Sequence, residues 1–272
     1  MLPKEKYSYS KYRNQKSQPA GRARVFVGPK IKFSFNPIIN LPAKFLGNLF
    51  IFILILAAAW TVFYSKYFQI KDVVVEGNNL IPAEQISTQI KTGGNIFRFN
   101  ISAAKAKILA SEPAIADVEI YRGLPDTLKV IVLEHKPTLV WQSQSRYFLL
   151  DESGVASKEI SANDFADLVH VFDQKNLPVK VGDKIVAPSF INFADKINLT
   201  FFDQTNIHPT GFQVPETTLD LYVTTDAGFY IKFDTTRSFD TQIENLKKIL
   251  IAFRPNIHEY VDVRINGWGY YK

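Results

Sequence analysis

Three short motifs in the chain belong to the chemistry of serine acyl enzymes. Ser102-Ala103-Ala104-Lys105 reads as S-x-x-K, Ser161-Ala162-Asn163 as S-x-N and Lys91-Thr92-Gly93 as K-T-G. In such a site the lysine activates the serine oxygen, and the K-T-G segment lines the substrate on a strand. Here K-T-G comes first instead of last, at the end of a helical pattern, and only eight residues separate Gly93 from Ser102. That spacing is too short to build the site, so no acyl transfer is expected. The four histidines, His135, His170, His208 and His258, stand alone, with no H-x-x-x-H or H-E-x-x-H pair among them. Carboxylates that fall close together, Asp164 with Asp167 and Asp151 with Glu152, sit in turn-like contexts that keep them solvated. There is no cysteine, which removes thiol nucleophiles, disulfides, Cys-ligated zinc and iron–sulfur clusters. Phosphate-cradling glycine motifs are missing too. The sequence predicts no catalysis and no cofactor.

What remains to be positioned is a surface, and charge locates it. The net charge of +6 is unevenly spread: residues 1–44 hold ten Lys and Arg against Glu5 alone, so the rest of the chain is slightly acidic. Nucleic-acid binding by the folded part is therefore not expected. From Phe45 to Ser65 there are 21 residues without a charge. At about 1.5 Å per helical residue this reaches across the hydrocarbon core of a bilayer. Trp60 and Tyr64 fall where interfacial aromatics belong, and the basic side is N-terminal, which places residues 1–44 in the cytoplasm and 66–272 outside it. Ala57-Ala58-Ala59 fits a signal-peptidase pattern, but the long segment ahead of it and the apolar residues after it favour an uncleaved anchor. The tail is rich in Tyr, Ser, Lys and Gln and is read as disordered, with basic residues near Lys30, Lys32 and Lys44 able to meet anionic headgroups.

Beyond the span the pattern is β-α-α-β-β. Residues 68–76 alternate as a strand ended by Gly77-Asn78-Asn79. Pro82 opens a helix with Ala83, Ile86 and Ile90 on one face, and Ser102 is the expected N-cap of a second, with Ile101, Ala104, Ile108 and Leu109 as its stripe. Strands over Ile115–Tyr121 and Thr127–Glu134 follow. From Pro137 onward the chain turns strand-rich: Leu139–Gln142, Tyr147–Asp151, Leu168–Phe172, Gly211–Val214, Leu219–Thr224, Phe229–Phe233 and Tyr260–Ile265. Helices over Pro188–Asp203 and Ser238–Phe253 interrupt the series. Arg122 and Glu134 could form a cross-strand ion pair, Trp141 reads as core, and Asp262 and Arg264, two apart, share one strand face.

The block after the span resembles a POTRA domain, and its residues resemble the FtsQ/DivIB cell-division family. The matching segments begin with Val73-Val74-Val75-Glu76-Gly77-Asn78 and Asn95-Ile96-Phe97. The most specific runs from Val118 to Val130 through Tyr121-Arg122-Gly123-Leu124-Pro125-Asp126-Thr127-Leu128. Glu134-His135-Lys136-Pro137 is similar to the family's E-R-x-P, with His135 in place of arginine. Trp141 followed by Leu149-Leu150-Asp151-Glu152-Ser153-Gly154, and Tyr260-Val261-Asp262-Val263-Arg264 near the end, complete the set.

The resemblance implies an α+β fold: a single N-terminal transmembrane helix, a POTRA domain, and a mixed β domain with two helices. The expected boundaries are a tail at 1–44, a transmembrane helix at 45–65, POTRA at 66–136 and the β domain at 137–272. It implies a non-enzymatic divisome scaffold in the bacterial cytoplasmic membrane, at the septum. FtsB- and FtsL-like bitopic proteins would bind by strand addition, other divisome components would bind through the POTRA domain, and septal peptidoglycan synthesis would be controlled as a result. The partner-binding residues carried over are Tyr260, Val261, Asp262, Val263 and Arg264, with Trp268 nearby. The alternatives are a membrane-anchored envelope enzyme and a POTRA-containing outer-membrane assembly or secretion component. The latter needs a β-barrel that the sequence after Pro137, with its two helices, supports poorly.

Overall fold

The computed structural model describes residues 21, 27–28, 42–265 and 267–272. The expected disorder of the basic tail lies outside the described residues, as does Asn266. Helix α1 (Ala43–Tyr64) is long and apolar enough to cross a membrane, carries no charge after Lys44, and presents apolar side chains all round. Compact packing divides the chain inside this helix, and Leu54–Lys272 form one unit. That unit contains two sheets with separate hydrophobic cores.

The first sheet has the order β1-β3-β2, built from β1 (Asp72–Glu76), β2 (Ile115–Gly123) and β3 (Thr127–Glu134). β1 runs parallel to β3 and β2 antiparallel to it. Helices α2 (Ala83–Ser87) and α3 (Ile101–Ser111) supply Ile86 and Ile108 to a core with Ile70, Ile96, Val118, Leu128 and Val130. Several sequence expectations are corrected here. The strand expected over 68–76 starts only at Asp72, because Lys66–Phe68 is a 3-10 turn capped by Ser65, whose hydroxyl accepts from Tyr67 N. The N-cap of α3 is Asn100 and not Ser102: Asn100 Oδ1 accepts from Ala103 N at 3.0 Å. Arg122 and Glu134 do not pair. Arg122 donates to the carbonyls of Ile96 and Phe99, at 2.8 and 3.0 Å. The Glu134 carboxylate accepts the backbone N–H of Leu80 and Ile81, at 2.8 and 3.0 Å, ahead of α2. Both residues therefore tie irregular segments to the sheet.

The chain passes to the second sheet between Glu134 and Pro137. Its order is β12-β11-β10-β9-β8-β7-β4-β5-β6. The strands are β4 (Pro137–Ser143), β5 (Arg146–Asp151), β6 (Ala156–Ile160), β7 (Val169–Asp173), β8 (Pro209–Val214), β9 (Asp220–Thr225), β10 (Tyr230–Asp234), β11 (Tyr260–Asp262) and β12 (Tyr270–Tyr271). Helix α4 (Pro188–Thr205) connects β7 to parallel β8, and α5 (Phe239–Phe253) connects β10 to parallel β11. Both crossovers step the same way along the sheet, so the right-handed rule puts both helices on one face. Phe190, Phe193, Ile197 and Phe201 of α4 and Ile243 and Leu246 of α5 fill that face, and Phe193 meets Phe233 and Phe239 edge-on. The expected Asp151–Gly154 turn is present: Asp151 Oδ1 accepts from Ser153 N, Ser153 Oγ and Val155 N. Gly154 sits at φ +79°, where a Cβ would lie 2.2 Å from the Val186 carbonyl oxygen, so only glycine fits. Strands β6 and β12 were not expected from the sequence, and the strand expected over Tyr260–Ile265 ends at Asp262.

Candidate partner-binding edge

Residues of β9, β10 and β11 alternate between a buried face under the helices and an open face. Leu221, Val223, Ile231, Phe233, Val261 and Val263 point to the buried side. On the open side, Tyr222, Tyr230 and Tyr260 form a row, with ring centroids 5.5 and 5.7 Å apart. Lys232 Nζ lies 3.6 Å from the Tyr260 centroid and within 5.6 Å of the other two, so the cation is held against three π faces. Desolvation raises the Tyr222 and Tyr230 hydroxyls above the ordinary tyrosine value.

Beside this row Arg264 forms a fork. It donates to both Asp262 oxygens, at 3.0 and 2.6 Å, and to Asp220 Oδ1 at 2.9 Å. Burial alone would push the Asp262 carboxyl up; the hydrogen bonds and charge of Arg264 outweigh it and hold Asp262 below the usual carboxylate range. The same bonds raise the Arg264 guanidinium further. Asp262 and Arg264 share a face as the sequence predicts, but they spend much of their hydrogen-bonding capacity on each other and on Asp220. Trp268 is 68% exposed, outside the folded row.

The backbone corrects where the free edge lies. β11 is not the rim, because β12 pairs on its outer side, with Val261 opposite Tyr271 and Asp262 opposite Tyr270. Tyr260 and Lys272 exchange N–H···O bonds, at 3.0 and 3.4 Å. This fixes the alternation: residues 270 and 272 turn their backbone groups to β11, and Tyr271 turns its N–H and C=O outward. Val263 N donates inward to the Lys232 carbonyl at 3.2 Å, and Val261 shares its parity. Among the described residues nothing pairs with the outer side of β12. The Tyr271 ring turns to the helical side and stacks on Phe253 of α5 at 5.2 Å, while Gly269 passes so close to Ile249 that a Cβ there would collide with it. At the far rim, β6 is partly covered, since Gly182 N donates to the Ala156 carbonyl, Ala156 N donates to the Asp183 carbonyl, and the Lys158 ammonium reaches the Leu80 carbonyl. The terminal aromatic run Trp268-Gly269-Tyr270-Tyr271 was the available signal for β12, yet two residues are too few for alternation to show.

The acyl-enzyme motifs are not assembled. Lys105 Nζ pairs with Asp117 at 2.5 Å, and Ser161-Ala162-Asn163 belongs to the loop after β6 of the other sheet. Among the described residues no group of three or more His, Cys, Asp or Glu is placed to hold a metal ion.

Comparison with known proteins bears on this architecture. Residues 68–135 match the family described as "POTRA domain, FtsQ-type". The chain is 37% identical to the "Cell division protein DivIB" of Clostridium acetobutylicum over 91 residues, 33% of this chain and 36% of that protein. It is 23% identical to the "Cell division protein FtsQ" of Chloroflexus aurantiacus over 226 residues, 82% of this chain and 80% of that protein. The FtsQ of Rickettsia bellii is 29% identical over 133 residues, 47% of this chain and 46% of that protein. The chain thus spans less than half of the Clostridium and Rickettsia proteins and four fifths of the Chloroflexus one. The matched interval coincides with the three-stranded sheet and its two helices, where Arg122 and Glu134 each have a defined structural task, and it follows the apolar helix α1: residues 68–135 match an FtsQ-type POTRA domain, and the chain is similar to the FtsQ and DivIB cell division proteins.

Proposed function

We propose that this protein is a non-enzymatic scaffold of the divisome, anchored in the cytoplasmic membrane by α1 with its basic tail inside and residues 66–272 outside. In this reading residues 66–136 and 137–272 act as a POTRA domain and a β domain. The outer edge of β12 receives an extended segment of an FtsB- or FtsL-type bitopic partner, and the complex contributes to the control of septal peptidoglycan synthesis. The observation that carries the reading is the unpaired edge of β12, with the Tyr271 N–H and C=O directed outward beside an open face of tyrosines and paired charges. An extended partner strand satisfies such groups in register, and the side chains next to them select it. Tyr260, Asp262 and Arg264 then act from the open face and Trp268 from the approach to β12, while Val261 and Val263 hold the strand to the core. The edges of the POTRA sheet, β1 and β2, offer a second surface for other divisome components.

The test is affinity purification of the full-length chain from native membranes with identification of the retained proteins. Recovery of short bitopic proteins carrying a coiled coil supports the reading, and their absence from an otherwise intact preparation overturns it. Topology is tested separately by protease added to spheroplasts. Cleavage beyond Ser65 with a protected tail is expected; a protected C-terminal part refutes the orientation.

A further inference from the structure

The last two turns of α1 carry Leu56, Ala59, Trp60, Phe63 and Tyr64 at i, i+3, i+4, i+7 and i+8, a single stripe along the helix. Together with Arg98, these residues line a groove of about 460 Å³. Its upper wall is the 3-10 turn Ile96–Arg98, which is fixed to the helix. Asn95 Nδ2 donates to the Val62 carbonyl at 2.8 Å, one of the terminal carbonyls the helix cannot satisfy itself, and Phe97 meets Phe63 edge-on at 6.3 Å. Trp60 and Tyr64 stack at 4.2 Å to form the floor. The Arg98 guanidinium hangs over the Tyr64 ring at 5.7 Å, and among the described residues no carboxylate pairs with it. Lys66, exposed and likewise without a carboxylate partner among the described residues, follows within one turn.

We infer that this groove binds one anionic phospholipid of the leaflet facing the folded domains, its acyl chain along Leu56, Ala59 and Phe63 and its phosphodiester against Arg98. The inference rests on the proposed membrane anchor. The occupant follows from how the chemistry is graded along the groove. Its lower part is wholly apolar, its middle holds the two ring types that prefer the interface, and its top ends in a lone guanidinium with the geometry to fork onto phosphate oxygens. A partner helix packed in the groove would cover the apolar part and leave Arg98 without an anion. An anionic lipid satisfies both ends. The C-terminal pole of α1 repels an anion, so Arg98 and Lys66 must supply the attraction.

The experiment uses the full-length chain in phosphatidylcholine vesicles containing a minority of phosphatidylglycerol, with spin-labelled lipids as probes. The motionally restricted fraction should be larger for the phosphatidylglycerol label than for the phosphatidylcholine label. The basic tail contributes to this excess in every variant, so the decisive comparison is between substitutions. Arg98→Gln should lower the preference by up to about fivefold, the factor one cation supplies near an anionic phosphate, while Lys247→Gln on α5 should leave it unchanged. An equal preference in wild type and Arg98→Gln overturns the inference and assigns the effect to the tail. Disulfide-linked dimers of Ala59→Cys chains with no lipid preference would assign the groove to a second copy. Alkaline carbonate extraction of the same vesicles separates the two readings. Release of the chain refutes the anchor and the site together, whereas retention without an Arg98-dependent preference refutes the site alone.

Discussion

Replacing Tyr271 by proline removes one backbone donor, the N–H that β12 turns away from β11, and leaves the bonds that hold β12 in place. If a partner strand accepts that N–H, the loss is about 1 kcal/mol for the bond and roughly another 1 kcal/mol for a partner carbonyl left dry in the interface. About 2 kcal/mol is roughly a thirtyfold rise in Kd. The substitution also deletes the ring stacked on Phe253, so Tyr271→Ala is the reference; it keeps the N–H and should weaken binding far less. The assay is calorimetry with the purified full-length chain and the partner recovered from membranes, with circular dichroism to confirm folding. Tyr270→Pro separates two geometries. Tyr270 faces Asp262, so proline there frees β12 from β11. A partner bound to β12 then loses its platform, whereas a partner that displaces β12 and pairs with β11 binds more tightly. Equal affinities for Tyr271→Pro and Tyr271→Ala would refute strand addition at β12. Proline at Val261 or Val263 cannot decide the matter, since both N–H groups serve β10 and the core would fail first.

Three further outcomes follow from the same structure. Glu134→Ala leaves the N–H groups of Leu80 and Ile81 without their carboxylate and should destabilise the chain by about 1–3 kcal/mol in urea unfolding, with Glu134→Gln costing less because one acceptor oxygen remains. Gly154→Ala drives a Cβ into the Val186 carbonyl at a left-handed backbone position and should cost more than about 2 kcal/mol, read as a lowered unfolding midpoint at unchanged m. The folded Asp262 carboxyl lies below its unfolded value, so its contribution is complete above about pH 4 and is lost as pH falls toward the folded value. Asp262→Asn should therefore be less stable at neutral pH and show a shallower acid limb in thermal melts at graded pH.

Much of the fold is legible because its signals are local and periodic. The uncharged run at 45–65 corresponds to α1, the stripe of Phe190, Phe193, Ile197 and Phe201 to α4, and the alternation through Leu221 and Val223 to β9. Failures come where long-range contacts decide. Ser102 has the chemistry of an N-cap, but so does Asn100, and only the position of Ile96–Phe99 against Arg122 settles where the helix begins. The charges of Arg122 and Glu134 suggest a pair on neighbouring strands. In the fold both point to backbone groups outside the sheet, because the segments before α2 and α3 have donors and acceptors that no strand can satisfy.

Of the candidate edge, the shared face is legible in the sequence and the rim is not. Tyr260, Asp262 and Arg264 do share one face, but a strand's place in a sheet is a property of what pairs beside it. The decisive element, β12, is two residues long and carries no periodic pattern. Its position follows from contacts invisible to sequence spacing: the close passage of Gly269 against Ile249, the stacking of Tyr271 on Phe253, and the exchange of backbone bonds between Lys272 and Tyr260. A strand this short, tied by few bonds, is the kind of edge that can be extended or exchanged at small cost. The Asp220–Asp262–Arg264 fork lies one strand inward, where it braces β9 against the end of β11. Arg264 is thus a brace for the end of the sheet first, and would meet an acidic residue of the proposed partner only so far as that residue can compete with two carboxylates already in place.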